Sequence, residues 1–289
     1  MKNFTVVICT YKRQYLIYEC LENILNNSLL PNQIIIVDQN YDFLTYNKIT
    51  NFFKNKGFKN YIIIRNLIQK GLTKSKNISL KKIKTKYVFF IDDDIILEKQ
   101  YFFKNIKLIF TNKAHAVSGI ISNYNNNPIK NFIYYVFNFN IFRDNRYFFI
   151  NYYKLKKNSY YKTFQVPGGI TCFDMKIFKK ISFDEKYITH NYEDVEFNIR
   201  LKKYFKEAKL LINVNSLAYD KLSKNAKENF ESRLYFMTLL YLKNKNFQNL
   251  FFFTLSLTGF LISYILSKKI KHIKKLKNIF KKAILKSKN

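Results

Sequence analysis

The amino-acid sequence predicts an α/β fold in which a mainly parallel, Rossmann-like sheet is flanked by helices. Four apolar runs rich in β-branched residues lie between residues 4 and 91, and the segments between them carry apolar residues at helical spacing. Strands that alternate with helices form βαβ units, whose strands are parallel. Three of the runs end in polar residues, which this topology brings to the carboxyl edge of the sheet, where ligands bind.

The elements of this fold follow in order along the chain. The four predicted strands are FTVVICT (4–10), QIIIV (33–37), YIIIR (61–65) and YVFFI (87–91). The three predicted helices between them cover residues 14–27, 47–56 and 73–83. Beyond them, residues 123–162 are rich in aromatic residues and Asn without a clear period, and we interpret them as a variable region. Regular patterns return at 164–173, in helices at 194–204 and 227–243, and in a strand at 209–214.

The overall charge is a weak guide to function. A formal net charge of +32 over 289 residues is typical of proteins that bind nucleic acids or anionic membranes. However, the chain has 23 Tyr and 30 Phe but no Trp, and only 6 Gly and 3 Pro. A bias of this kind is typical of codon usage rich in A and T. Because the lysines are spread along the chain outside its C-terminal tail, we expect no nucleic-acid partner.

The cysteines and the N-terminus favour a reducing compartment. Cys9, Cys20 and Cys172 lack the spacing of a disulfide framework or a paired metal site, so we expect small buried hydrophobic residues. The first apolar stretch has about five residues, whereas the apolar region of a secretory signal has ~7–15. We therefore expect the chain to begin in the cytosol.

The C-terminal section differs in kind from the rest. Residues 250–266 contain no charge and lie at the lower length limit for crossing a hydrocarbon core of ~30 Å. Lysines interleaved with Ile, Leu and Phe follow over 268–288, a pattern typical of basic helices on anionic membranes. We predict a main domain over 1–245 and a membrane anchor over 246–289, which places the protein at the cytoplasmic side of the cell membrane. The alternative is a buried core helix followed by a solvated one.

Two acidic motifs carry the chemistry. Asp92, Asp93 and Asp94 directly follow an apolar strand, and adjacent carboxylates repel one another unless a cation lies beside them. Oxygen ligands suit Mn²⁺ or Mg²⁺. Glu193 and Asp194 begin a predicted helix, where acids stabilise the helix terminus or act as a general base. A solvated acidic turn and a helix cap remain the alternatives for the two motifs.

Together with these motifs, the sequence resembles family 2 glycosyltransferases, inverting enzymes with a GT-A fold, over about residues 4–240. The resemblance rests on segments that occur in the family's order and at its spacing: VVICTYKR, IIIVDQN, RNLIQKGLTKSKN, FFIDDD, VPGGITCF and NYEDVEFNIRL. The chain departs from the family in two places. Cys172 to Met175 stand where the family often has Arg, and Asp220 stands where it often has His.

The resemblance implies a role for each matching residue. Asp194 would be the catalytic base, assisted by Glu193. Asp94 and Asp92 would bind Mn²⁺ or Mg²⁺, with Asp220 as a third candidate. The implied acceptor-side residues are Gly168 and Gly169, and the variable region 123–162 would belong to the acceptor side as well. The implied nucleotide-sugar contacts are Thr10, Tyr11, Arg13, Asp38, Asn66, Gly71, Lys76, Asp92 and Asp93, where Lys76 replaces the family's usual Arg.

The resemblance also implies the reaction. A sugar would move, with inversion, from a nucleotide-diphosphate sugar to a hydroxyl of a saccharide or lipid-linked acceptor in the synthesis of a cell-surface polysaccharide or glycolipid. One alternative is a sugar-phosphate nucleotidyltransferase, but CTYKRQY lacks the Gly-rich loop that such enzymes place after the first strand. The other is a non-catalytic basic protein that binds nucleic acid or membrane.

Overall fold

The computed structural model describes residues 3–68, 71–123, 159–185, 193–222, 230–243, 245, 247–266 and 276–288. The strands are β1 (Phe4–Thr10), β2 (Gln33–Asp38), β3 (Tyr61–Arg65), β4 (Tyr87–Asp92), β5 (Ile95–Leu97), β6 (Ala116–Ile121), β7 (Tyr160–Thr163), β8 (Ile170–Asp174) and β9 (Leu210–Asp220). The helices are α1 (Gln14–Leu25), α2 (Leu44–Lys56), α3 (Leu72–Leu80), α4 (Tyr101–Thr111), α5 (Glu193–Tyr204), α6 (Phe230–Lys243), α7 (Phe247–Leu266) and α8 (Leu276–Lys288). The contacts divide the chain into two units, the second of which contains α6, α7 and α8.

The first unit is built on one nine-stranded sheet in the order β3-β2-β1-β4-β8-β6-β9-β5, with β7 on β9. The prediction of parallel strands holds for β3, β2, β1 and β4. The sheet is mixed beyond β4, because β8 runs antiparallel to both β4 and β6. The α/β prediction is therefore confirmed. The parallel strands are β3, β2, β1 and β4 on one side of β8, and the pair β6 and β9 on the other.

The central strands are buried on both faces, as in sheets covered by helices on each side. Along β1, Val6 and Ile8 join a core with the apolar faces of α1, α2 and α4. Val7 points to the opposite face and joins a second core with residues of α5. This two-sided burial explains why the strand sequences are continuous apolar runs rather than alternating ones.

Helix α4 and strand β6 were absent from the sequence prediction, and Tyr101 of α4 links this helix to β6 and β8 of the sheet. The buried Tyr101 hydroxyl donates to the Ile170 carbonyl oxygen at 2.5 Å and accepts from the Gly119 N–H at 3.1 Å. A Cβ at Gly119 would overlap the backbone of Ser216 and the Tyr101 ring. Gly119 is therefore required for the close approach of β6, β9 and α4.

The second unit consists, in its described part, of α6 packed against α7 and α8. Leu234 of α6 and Ile279 of α8 form its buried centre, with Phe253 of α7 against them. Among the described helices, none combines the length and the apolarity needed to cross a bilayer. The predicted boundary between residues 245 and 246 stays a prediction; the contacts place α6 with the C-terminal helices. Most of the predicted acceptor-side region 123–162 lies outside the described residues.

Candidate active site

Strand register brings the polar strand ends together at one edge of the sheet. Thr10 is in register with Asp38 on β2, and Cys9 is in register with Asp92 on β4. Asp38 is in turn in register with Arg65 on β3. The neighbouring strands therefore place their terminal side chains side by side, as parallel topology requires.

The first cluster on this edge surrounds Asp38. Its Oδ1 accepts hydrogen bonds from the backbone N–H and the side-chain amide of Asn40 at 2.9 and 2.7 Å. Its Oδ2 is buried without a hydrogen-bond partner among the described residues. Burial raises the pKa of this carboxyl, and the hydrogen bonds from Asn40 oppose the rise. The unpartnered oxygen is an acceptor for a ligand that brings its own N–H group.

Two other predicted contact residues, Gly71 and Asn66, border this cluster, and a third, Tyr11, directly follows β1; the Asn66 N–H donates to the Asp38 carbonyl oxygen at 2.8 Å. The Gly71 N–H donates to Gln39 Oε1 at 2.8 Å, and the φ angle of Gly71 is +154°, in a region that favours glycine. The Asn66 side chain donates to Ser75 Oγ at 3.2 Å. The Tyr11 ring lies 5.3 Å from the Lys12 ammonium. Sequence analysis missed Gln39 and Asn40, although both follow Asp38 directly in IIIVDQN.

The donor cluster, which we define as Asp92, Asp93, Asp94 and Arg13, forms at the end of β4. Asp93 accepts from Thr10 Oγ1 at 2.7 Å and from Arg13 Nη1 at 3.1 Å. The same Arg13 nitrogen donates to Asp94 Oδ2 at 2.8 Å. Burial, followed by the negative charge of Asp92, raises the pKa of Asp94 to about 7. The cluster therefore holds more negative charge than its own cation neutralises.

The oxygen ligands of the donor cluster fit a divalent ion that is held by the protein together with a substrate. The available ligands are carboxylate oxygens, and the charge of Asp220 at the end of β9 adds to the rise in the pKa of Asp92 and Asp94. No group of three His, Cys, Asp or Glu residues within the described part of the chain is placed to hold an ion. Mg²⁺ is commonly held by one or two carboxylates together with substrate phosphates. The donor cluster supplies the carboxylates of such a site, and a substrate phosphate would supply the other oxygen ligands.

The base cluster, defined as Glu193, Asp194, Lys76 and Gly168, forms at the start of α5. Lys76 Nζ donates to Glu193 Oε1 at 3.0 Å and to the Gly168 carbonyl oxygen at 3.3 Å. The Gly168 N–H donates to Asp194 Oδ2 at 3.0 Å, and the Val195 N–H donates to Asp194 Oδ1 at 2.8 Å. Burial raises the pKa of Asp194, while the positive charge of Lys76 opposes the rise. The carboxylate is thus fixed by two backbone donors.

Two adjacent glycines connect the clusters. A Cβ at Gly168 would lie 3.1 Å from the Asp194 Cβ and 3.1 Å from Lys76 Nζ. A Cβ at Gly169 would instead overlap the carboxylate of Asp92. The Gly169 carbonyl also accepts from the Asp92 N–H at 2.9 Å. Each glycine therefore lets the backbone approach a different acidic cluster.

The predicted contact residues thus fall into three clusters on one edge. Thr10 contacts Asp93 of the donor cluster, to which Arg13 belongs, whereas Lys76 belongs to the base cluster. Sequence analysis placed Asn77 in a matching segment but gave it no role. Its amide donates to the Phe183 carbonyl and to Glu185 Oε1 at 2.9 and 3.0 Å. No local pattern signals that contact, because its partners lie more than a hundred positions away.

The fold of this chain is similar to that of solved nucleotide-sugar transferases. A mannosyltransferase, PcManGT from Pyrobaculum calidifontis in complex with GDP-Man and Mn²⁺, matches with a TM-score of 0.64 at 11% identity, over 99% of this chain and 86% of that one. TarS residues 1–349 from S. aureus match at 0.58 and 16% identity, over 84% and 66%. GalNAc-T7 with UDP, GalNAc and Mn²⁺ matches at 0.58 and 12%, over 85% and 51%. These likenesses establish the fold.

The sequence itself supplies the family. No curated protein sequence matches it. The profile described as glycosyl transferase family 2 matches residues 5–182, which include β1 to β8 and the donor cluster. This is more than half of the 289 residues. The chain belongs to glycosyl transferase family 2.

Proposed function

We propose that this glycosyltransferase moves a sugar, with inversion, from a nucleotide-diphosphate sugar to a hydroxyl of a saccharide or lipid-linked acceptor. One observation carries the proposal: two acidic clusters lie on the same sheet edge, on either side of the Gly168–Gly169 backbone. Inverting transfer needs opposite chemistry at two places, namely charge neutralisation at the leaving diphosphate and proton removal at the attacking hydroxyl. The family assignment favours this reaction over the nucleotidyltransferase alternative.

The donor cluster is suited to the leaving group. Asp92 and Asp94 would hold the divalent ion, with Asp220 nearby, and a bound Mn²⁺ or Mg²⁺ would neutralise charge on the departing diphosphate. Arg13 supplies a positive charge at the same place, with 43% of its side chain exposed. Thr10 fixes Asp93 from the other side. These residues bind and orient the donor at the end of β4.

The Asp38 cluster is suited to the nucleobase. The buried, unpartnered Oδ2 of Asp38 is an acceptor for a ligand N–H, and the imide N–H of uracil or thymine provides one. The complexes of PcManGT with GDP-Man and Mn²⁺ and of GalNAc-T7 with UDP, GalNAc and Mn²⁺ support a nucleotide-sugar donor and a divalent ion here.

Asp194 is suited to accept the proton of the acceptor hydroxyl. Its pKa is raised by burial, so its carboxylate is a stronger base than an exposed aspartate. The oxygen then attacks the anomeric carbon as the bond to the diphosphate breaks, and the proton goes to Asp194. A thiol nucleophile is disfavoured at this edge, because burial raises the pKa of Cys9 to about 12 and keeps it protonated.

The acceptor and location belong to the same proposal. In α8, Ile279 and Ala283 are buried while Lys277, Lys281 and Lys282 are exposed. Leu285 beside them is 58% exposed. Exposed lysines next to exposed apolar side chains are typical of helices that lie on anionic membranes. A lipid-linked acceptor in cell-surface polysaccharide or glycolipid synthesis, at the cytoplasmic face, would meet the enzyme there.

A thermal-shift panel tests the reaction class. The full chain is heated with UDP, dTDP, GDP or CDP, each with and without Mn²⁺. We expect one nucleotide to raise Tm only when the metal is present, and Asp94→Asn to abolish the rise. The absence of a shift with every nucleotide would contradict the proposed donor.

Sedimentation with vesicles tests the location. We expect the chain to bind vesicles of phosphatidylcholine with phosphatidylserine but not of phosphatidylcholine alone. Replacement of Lys277, Lys281 and Lys282 by Gln should reduce the binding. Equal binding to both lipids, or none, would contradict the membrane proposal without affecting the proposed reaction.

A further inference from the structure

Lys76 is the most deeply buried cation described near the site. Its charge also acts on Asp92 of the donor cluster, but its hydrogen bonds are made within the base cluster. Its side chain is 2% exposed, and its ammonium group lies 5.2 and 5.6 Å from the ring centres of Phe183 and Phe90. A buried ammonium requires paired charge and hydrogen bonds. Among the described residues, its ammonium group donates to Glu193 and to the Gly168 carbonyl, and both belong to the base cluster.

The partners of Lys76 lie on either side of Asp194. Glu193 precedes it in the chain, and Gly168 donates its N–H to Asp194 Oδ2 at 3.0 Å. Lys76 therefore fixes Gly168, whose N–H binds the Asp194 carboxylate, and Glu193, the residue directly before Asp194 in the chain. A shift of the ammonium group would displace both residues and, with them, the Asp194 carboxylate.

The next residue of α3 holds the segment that leads to α5. The Asn77 amide donates to the Phe183 carbonyl at 2.9 Å, and the Phe183 N–H donates to Asn77 Oδ1 at 2.9 Å. Glu185 also accepts from Asn77 at 3.0 Å. Adjacent residues of one helix thus bind Phe183 and Glu193, on the two sides of residues 186–192. Helix α3 fixes where the chain enters α5.

We propose that Lys76 is a positioning residue for the catalytic base. Lys76 acts through Glu193 and Gly168 rather than by binding the diphosphate of the donor. This inference rests on the proposed role of Asp194 as base. The two cations of the site then have different roles, since Arg13 serves the donor and Lys76 serves the group that receives the proton. Glu193 gains a role as well, as the counter-charge of Lys76.

Two variants test this division. Lys76→Met removes the ammonium group and leaves Glu193 buried without a counter-charge. Lys76→Met with Glu193→Gln removes both charges and keeps the side-chain sizes, which preserves the fold even if the single variant is unstable. Lys81→Met, at an exposed position after the same helix, is the matched control.

The measurements are the Mn²⁺-dependent Tm shift with the nucleotide that stabilises the wild type, and kcat and KM for the donor. We expect both variants to keep the nucleotide shift and the donor KM of the wild type. We expect kcat to fall about 10–100-fold, as when a supporting residue of a site is lost. Lys81→Met should match the wild type.

Three results would overturn the inference. Loss of the nucleotide shift in a folded variant would make Lys76 a diphosphate ligand. A rise in the donor KM with unchanged kcat would also place it on the donor. Full kcat in the double variant would make the ion pair structural only. A wild type without nucleotide shift or transfer would instead contradict the proposed function, so the two failures are distinguishable.

Discussion

The two acidic clusters each combine carboxylates with one cation, but the cation is exposed in the donor cluster and buried in the base cluster. In the donor cluster the cation is Arg13, whose side chain is 43% exposed above carboxylates that are 4% and 12% exposed. In the base cluster the cation is Lys76, 2% exposed beside Glu193 at 8%. An exposed guanidinium can leave its carboxylates to water or to a metal ion at low cost, whereas a buried ammonium cannot. The ion pairs of the donor cluster can therefore be exchanged for a metal ion, whereas the ion pair of the base cluster is permanent.

The largest effect should come from the base itself. Asp194→Asn keeps the size of the side chain and removes the proton acceptor, so kcat should fall about 10²–10⁴-fold. The nucleotide shift should persist, because the Asp194 carboxylate is held by the N–H groups of Gly168 and Val195, which lie outside the donor cluster. Product assays and thermal shifts on the same preparation provide the check. Near-normal turnover would show that another group takes the proton.

The two ion pairs should differ in their contribution to the free energy of unfolding. Lys76→Met leaves a buried carboxylate unpaired, which typically costs ~3–5 kcal/mol. Arg13→Met removes a cation that is 43% exposed, and we expect a smaller loss, because Asp94, whose pKa is raised to about 7, can take up a proton when the cation is gone. Urea unfolding of both variants without metal measures the contrast. Equal losses would contradict the distinction between an exchangeable and a permanent pair.

The adjacent glycines should separate the clusters functionally. Gly169→Ala drives a methyl group into the Asp92 carboxylate, so the metal-dependent nucleotide shift should be lost. Gly168→Ala meets Asp194 and Lys76 at 3.1 Å, which requires only a small displacement. It should lower kcat by about 10-fold, through misplacement of the base, with nucleotide binding retained. If both variants lose the same function, the glycine pair does not divide donor binding from proton removal.

The smallest effect is a displacement of the pH profile. Burial raises the pKa of Asp194, and Lys76 partly opposes this rise. A base acts only when deprotonated, so kcat should decline as pH falls through a value above that of an ordinary aspartate. Without the charge of Lys76, the pKa rises further and the decline in Lys76→Met should begin at higher pH. An acid limb at the same pH in both proteins would contradict the electrostatic part of this account.

The sequence predicted the fold where local pattern and topology agree. Phe4–Thr10 was predicted with its observed ends, because buried parallel strands are continuous apolar runs. Tyr61–Arg65 also has its predicted ends, although this strand lies at the end of the sheet and is only partly buried. Strand β9 continues to Asp220, beyond the predicted end at 214. The prediction stopped early because the later residues of the strand alternate between buried and exposed and do not form a continuous apolar run. Helix α4 was missed for a different reason, since no prediction was made between Asp94 and residue 123.

The site was predictable in its residues but not in its partners. Motif order identified Lys76, Arg13 and Asp194, and their positions follow from the ends of predicted elements. Which carboxylate each cation meets depends on contacts far apart in sequence, such as Lys76 with Glu193. The family pattern places Lys76 near the diphosphate, while in the structure its ammonium group is turned to the base cluster. Long-range packing, which a linear pattern does not encode, decides that orientation.

The carboxylate-rich end of β4 also affects how a donor arrives. The chain as a whole carries a formal charge of +32, so the proposed nucleotide donor, an anion, is attracted to it within about one Debye length, which is ~10 Å at 0.1 M salt. At contact, the same nucleotide meets Asp92, Asp93 and Asp94, whose field has the opposite sign. Under the proposed function, donor capture would therefore have two stages, a first that slows as ionic strength rises and a second that requires the anion to bring a divalent cation with it.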